Sequence, residues 1–130
     1  SVDNTVSVLS INSTTGALTL LGSYPTGTLP ISVVALDPYL YVANQGSSNV
    51  SVFTIASTTG ILTQVTSSPF SAGTAPFFMV LDPNNLFLYV GSQTASTITA
   101  FSINTSTGAI ATTSQSATAG ASPSSMAVTK

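Results

Sequence analysis

The sequence predicts an all-β protein assembled from repeated units of four antiparallel strands, and three observations predict it. The runs VSVLSINSTTGALT (6–19), VSVFTIASTTGILT (50–63) and ITAFSINTSTGAIA (98–111) superimpose without a gap. Their apolar residues fall on alternate positions, the period of a strand, and no segment follows a helical period. Turn signals recur at matching intervals. Gly16, Gly60 and Gly108 are spaced by 44 and 48, and Pro30, Pro76 and Pro123, which close GTLP, GTAP and GASP, by 46 and 47.

One period of about 46 residues reads as strands A to D. Strand A is ISVVAL (31–36) or FFMVL (77–81), a short apolar run of the kind buried on both faces. ALDP (35–38) and VLDP (80–83) follow, where Asp in first place and Pro in second favour a type I turn. Strand B carries LYVAN (40–44) or LYVGS (88–92). Strand C is NVSVFTI or TITAFSI, with Val50, Val52 and Ile98, Ala100 on alternate positions. An STTG or TSTG hinge then places glycine where a left-handed residue is required. Strand D, ALTLLGS, ILTQVT or AIATTSQ, is more polar and expected outermost.

Four antiparallel strands per repeat of this length mark a β-propeller blade. A sandwich of short strands gives no reason for three matching registers. The expected organisation is a single partial propeller of about 2.8 blades: strands C and D of a first blade (1–30), a second blade (31–76), a third (77–123), and strand A of a fourth (124–130).

LYVAN, with VSVFTIASTTGILT after it, resembles the YVTN-type repeat of lactonase-like propellers. That group includes 6-phosphogluconolactonase-like proteins and repeats in bacterial and archaeal surface proteins. The resemblance covers essentially all 130 residues and implies blades of a propeller that typically has seven. Enzymatic members rely on charged and histidine side chains around the central opening. No such residue stands at a matching position here, so the resemblance does not carry lactonase activity onto these residues.

Composition narrows the chemistry. Only Asp3, Asp37, Asp82 and Lys130 are charged, there is no His, Cys or Glu, and 22 Ser and 21 Thr supply the polarity. Nucleic-acid binding needs clustered Lys and Arg, zinc and copper need imidazole or thiolate, and acid–base catalysis wants His or paired carboxylates. The many serines lack a base to activate them, and no Asp-rich loop suggests calcium. No catalytic residue, metal or cofactor is expected. Mean hydropathy is +0.49, yet apolar runs such as PFFMVL (76–81) fall far short of the ~20 residues of a spanning helix, so no membrane span is expected. A membrane β-barrel would usually carry more charge. With neither signal peptide nor initiator Met, Ser1 is expected to begin a processed or excised chain.

The B–C loops NQGSSN (44–49) and SQTAST (92–97) hold Gln45 and Gln93 at matching positions. Amides and hydroxyls suit neutral glycans or peptide backbone, against the alternative of polar turn filler. Candidate rim contacts are Asp3, Asn4, Gln45, Ser47, Gln93 and Thr94, with Asp3 breaking the repeat where Ser47 and Ala95 stand. Asp37 and Asp82 are read as equivalent turn-forming side chains, the alternative being a carboxylate ring at the tunnel mouth. Tyr39, Tyr41 and Tyr89 are read as packing residues. Sequons occur at Asn12, Asn49 and Asn104, two of them at equivalent hinge positions.

Because 2.8 blades do not close, Val6, Val8, Met126 and Val128 are expected at intermolecular edges. Ser1 aligns with Gln45 and Gln93, and Lys130 with Pro83. The partners would be other blades of a longer chain or copies of the same chain, forming a six-bladed ring or an open array. A neutral glycan or a protein is a further candidate ligand. The expected function is a non-enzymatic, extracellular or cell-surface binding or structural module. The alternatives are a fragment of a lactonase-like enzyme whose active residues lie outside the chain, and a self-assembling fibre subunit.

Overall fold

The computed structural model describes residues 3–129. Its strands are β1 (Thr5–Ile11), β2 (Leu18–Pro25), β3 (Pro30–Leu36), β4 (Tyr39–Asn44), β5 (Asn49–Ile55), β6 (Leu62–Gln64), β7 (Phe70–Ser71), β8 (Pro76–Leu81), β9 (Phe87–Ser92), β10 (Thr97–Ile103) and β11 (Ile110–Thr118). They form three antiparallel sheets: β1-β2, then β3-β4-β5-β6 with β7 also on β5, then β8-β9-β10-β11. These are half of a first blade and two complete blades, each meandering from an inner strand to an outer one. No helix occurs among the described residues.

The hinges between strands C and D are three copies of one device. The N–H of Gly16, Gly60 and Gly108 donates to the carbonyl of Asn12, Ala56 and Asn104 at 2.8, 2.7 and 2.8 Å. Each glycine has φ between 70 and 73°, the left-handed region a side chain disfavours. Where the first residue is Asn, its Oδ1 accepts two further backbone N–H groups, Thr14 and Thr15 on Asn12, Ser106 and Thr107 on Asn104. Two of the three sequon asparagines therefore serve the turn itself.

Strand alternation builds the core. In β4, Tyr39, Tyr41 and Ala43 face the third blade and join Val50, Val52, Met79, Leu88, Val90, Phe101 and Ile103 in one buried cluster. Val42 faces the first blade with Phe53 and Leu62, against which Val6, Val8 and Tyr24 pack. The inner strands depart from the expectation of burial on both faces. β3 alternates, with Val33 56% exposed, because the first blade contributes only β1 and β2 and nothing described covers that face; its counterpart Met79 in β8 is 8% exposed. Likewise Leu9, Ile11 and Leu18 are exposed at the positions where Phe53, Ile55 and Leu62 pack in the second blade.

The outer strands differ most from the repeat. The C–D ladder slips at Val8/Leu9 in the first blade and at Thr99/Phe101 in the third. In the second blade the same slip becomes an excursion: β5 pairs Phe53 with Gln64, then Val50 with Phe70. Hydroxyls mend the gap. Ser68 Oγ accepts the Val52 N–H at 2.8 Å, and Thr113 Oγ1 donates to the carbonyl of the equivalent Ala100 at 2.9 Å. Residues 124–129, expected as a strand A, run without strand pairing, since no strand of a fourth blade is described for them to bond. Ser1 and Lys130, aligned above with Gln45 and Pro83, lie outside the described residues.

Two substitutions test this packing. Around Gly16 the space for a side chain is open, whereas a Cβ on Gly108 would collide with the Tyr39 ring. Gly16→Ala should cost about 1 kcal/mol from the left-handed backbone alone, and Gly108→Ala about 3 kcal/mol. Equal losses in urea unfolding would contradict the packing. Tyr41 is fully buried, and its hydroxyl has no partner among the described residues. Burial, with Tyr39 adding, pushes its pKa up to about 12. Tyr41→Phe should then raise stability by about 1 kcal/mol, because it removes an unpaired buried dipole; a loss of that size would reveal a partner.

Candidate functional site

The B–C loops and D–A loops meet on one rim of the blades, and backbone geometry sets that rim apart. Asn4, Ser48 and Ser96, at equivalent B–C positions, have φ of 51, 55 and 52°. Leu29, Ala75 and Ser122, each just before the repeated proline, have φ of 53, 46 and 52°. A left-handed conformation costs an L-residue about 1–2 kcal/mol, so six of them require fixed partners. Non-glycine strain of this kind concentrates where loops serve function.

The partners are the loops themselves. The N–H of Thr26, Ala72 and Ala119 donates to the carbonyl of Asn4, Ser48 and Ser96 at 2.8, 3.2 and 2.8 Å. Leu29 N–H donates to Asn4 Oδ1 and Ala75 N–H to Ser48 Oγ, at 2.9 and 3.2 Å. In the first and second blades, the left-handed residue of the B–C loop thus holds the left-handed residue of the D–A loop. Neighbouring blades are laced as well. Gln45 and Gly46 donate their N–H groups to Leu29 and Thr28, and Thr28 N–H donates to Ser47 Oγ. Gly27 is required here, since a Cβ would run into Ser47 and Asn44.

The sequence candidates divide accordingly. Asn4 and Ser47 are spent on the lacing, Ser47 Oγ also donating to Asn49 Oδ1 at 3.1 Å. Gln45 and Gln93 are half-buried, and Thr94 is exposed. Among the described residues, no hydrogen bond engages the side chains of these three, so they remain available to a ligand. Asp3 is exposed beside Asn4. Sequence reasoning missed Asn44. It is fully buried, donates to Asn49 Oδ1 and Ser51 Oγ at 2.8 and 2.9 Å, and its Oδ1 has no partner among the described residues. The signal was a polar residue closing LYVAN where LYVGS has serine; Ser92 Oγ there donates to the Thr74 carbonyl at 2.6 Å.

Among the described strands β1 pairs with β2 alone, so the edge of β1 that carries Val6 and Val8 has no described strand beside it. Val6 and Val8 turn their side chains into the cluster shared with the second blade, and Met126 and Val128 are half-buried in an unpaired segment.

Asp37 and Asp82 lie on the opposite rim and are not structural equivalents. Leu36 pairs with Tyr39, so Asp37 and Pro38 alone form a tight turn with a cis peptide, in which proline takes the third place rather than the second. Asp82 instead heads a wider turn, Asn85 N–H donating to its carbonyl at 2.9 Å. That turn has the arrangement read from the sequence. The extra residues change the alignment: Leu36, not Asp37, matches Asp82. Burial opposes ionisation of Asp82, but the N–H groups of Phe87, Asn84 and Leu86 outweigh it and hold the carboxyl below its usual range.

No group of three or more potential metal ligands occurs among the described residues. The rim can donate and accept neutral hydrogen bonds, and Asp3 is its only described ionisable group.

The model of the family "Lactonase, 7-bladed beta-propeller" matches residues 2–129. The chain belongs to that family. A comparison with curated proteins finds no match. Among solved structures it is similar to a candidate 6-phosphogluconolactonase from Bacteroides uniformis, with 19% identity, TM-score 0.86, and coverage of 95% of this chain and 37% of the other. It is also similar to the periplasmic gluconolactonase PpgL of Pseudomonas aeruginosa, with 21% identity, TM-score 0.83, and coverage of 95% and 36%. The chain therefore spans little more than a third of the length of these neighbours.

The expectation of a non-enzymatic surface module is corrected by the lactonase family match, which favours the enzyme-fragment alternative. The composition that suggested the module describes 130 residues, while the solved neighbours spread their side chains over a chain more than twice as long.

Asp82 supplies a pH test within this blade. A carboxyl whose folded pKa is lowered contributes stability in full above its unfolded value, near 3.9, and loses it as pH falls through the folded value. Asp82→Asn should cost about 2 kcal/mol at pH 7. The gap from the parent should narrow on acidification below about pH 4, and a gap independent of pH in urea titrations would refute the assignment.

Proposed function

We propose that this chain forms part of a lactonase-type propeller enzyme acting on a sugar lactone, and that it supplies substrate-orienting groups rather than the hydrolytic base. The observation that carries the reading is the lactonase family match over residues 2–129. In lactone hydrolysis, water adds to the ring carbonyl, the ring C–O bond breaks, and the leaving alkoxide takes up a proton to give the hydroxy acid. Activating that water calls for a base, and the chain holds no His or Glu. Asp37 and Asp82 stand on the rim away from the left-handed loops. Asp3, on the lactone-facing rim, is already engaged by a neighbouring group, and we place the base on other blades.

Gln45, Gln93 and Thr94 are the groups that would meet the substrate. Their unengaged amides and hydroxyl suit the hydroxyls of a lactone, and they project from loops fixed by the lacing bonds. With no cation at this rim among the described residues, this portion fits an uncharged region of the substrate.

The test compares the 130-residue chain with the propeller completed by further blades, using gluconolactone and 6-phosphogluconolactone. The completed protein should hydrolyse one of them, while the chain alone should not exceed the spontaneous rate. Gln45→Ala and Gln93→Ala in the completed protein should raise KM about tenfold with a smaller change in kcat, a loss of about 1.4 kcal/mol of binding. A completed propeller inert toward both lactones would overturn the proposal.

A further inference from the structure

On the rim that carries the C–D hinges, away from the proposed lactone site, the second and third blades enclose a cleft of about 350 Å³. One wall is Thr63, Gln64 and Thr66 from the outer edge of the second blade, and the other is Ser106 and Thr107 from the hinge of the third, with Tyr39 between them. We propose that this cleft binds a neutral, polyhydroxylated ligand of the saccharide class.

Three features support the assignment. First, no charged side chain lines the cleft, so it offers nothing to a phosphate, a carboxylate or a cation. Second, part of its polar lining is uncommitted. Thr54 Oγ1 donates to the Thr63 carbonyl, Gln64 Nε2 to Ser68 Oγ, and Thr107 Oγ1 accepts from Ala109 N–H. No hydrogen bond among the described residues engages the hydroxyls of Thr63, Thr66 and Ser106 or the Gln64 Oε1. These donors and acceptors on two walls match the alternating hydroxyls of a sugar, and the buried Tyr39 closes the floor between them.

Third, the cleft lies where the second blade leaves the repeat. The outer strand stops at Gln64, Val65 N–H still donates to the Val52 carbonyl at 3.0 Å, and residues 66–69 lie off the ladder before pairing resumes at Phe70. At the equivalent junction of the first and second blades, Leu20 and Leu21 stand where Gln64 and Val65 stand here, and Leu21 reaches the hinge at Gly60. The second blade thus carries an amide at Gln64 where the first carries the leucine Leu20.

A solvent-open cleft with a handful of neutral hydrogen bonds supports a Kd of about 1–10 mM. Titration of the isotopically labelled chain with maltotriose, followed by amide NMR, should give saturable shifts confined to residues 63–66 and 106–107. Gln64→Leu and the exposed Thr66→Trp, which fills the cleft, should each weaken binding at least about fivefold while leaving the remaining spectrum unchanged. Glucose 6-phosphate should bind no better than glucose. Absence of saturable shifts up to about 50 mM sugar, well above this Kd range, would overturn the proposal. So would shifts centred on Gln45 and Gln93, which would instead support the lactone rim; failure of lactone hydrolysis leaves this cleft unaffected.

Discussion

A propeller blade is a single sheet, and a single sheet has two faces and no interior. Every apolar side chain it carries must be covered by the blade before or the blade after. The period-two alternation of β4 meets this requirement, sending Tyr39, Tyr41 and Ala43 one way and Leu40 and Val42 the other. The rest of the architecture follows from it. Repeat-equivalent residues have opposite fates according to whether a neighbouring sheet lies over them: Phe53 is buried while Leu9 is exposed, and Met79 is buried while Val33 is exposed. Burial here is a property of the junction rather than of the residue.

With so few ions, the chain assigns to hydroxyls and backbone the roles that charges fill elsewhere. Ser68 and Thr113 complete broken ladders, Asn12 and Asn104 close hinges, and Asn4 and Ser48 pin the left-handed residues of the rim. Contacts of this kind depend little on salt, unlike surface ion pairs. The one buried carboxylate, Asp82, is held by backbone N–H groups rather than by a cation. The cluster around Asn44 shows the cost of the strategy: an amide with two well-placed donors still leaves its oxygen without a partner among the described residues.

The propeller class and the three matching blades were legible because they rest on local signals, alternation and turn glycines, that each repeat states afresh. Gly16, Gly60 and Gly108 take the left-handed backbone their sequence context requires. The errors arose where a shared motif concealed a change in geometry. Asp-Pro occurs in both turns, but the residues between the paired strands differ in number, so Asp37 and Asp82 part company. The left-handed pre-proline residues Leu29 and Ala75 were invisible because neither residue type suggests that conformation. The functional reading failed for a further reason. A site assembled from side chains on many blades leaves little trace in the composition of three, and Gln45 and Gln93 alone do not distinguish a turn filler from a substrate contact.

The shared position of β4 makes the chain unequal along its length. Its sheet has two junctions, one toward β1 and β2 and one toward β8 to β11, and β4 contributes to both. Where repeats interact only with nearest neighbours, free energy resides in the junctions and a middle unit is counted twice. A defect in β4 therefore reaches both described junctions. Among the described strands, backbone amides in β4 should be among the last to exchange with solvent.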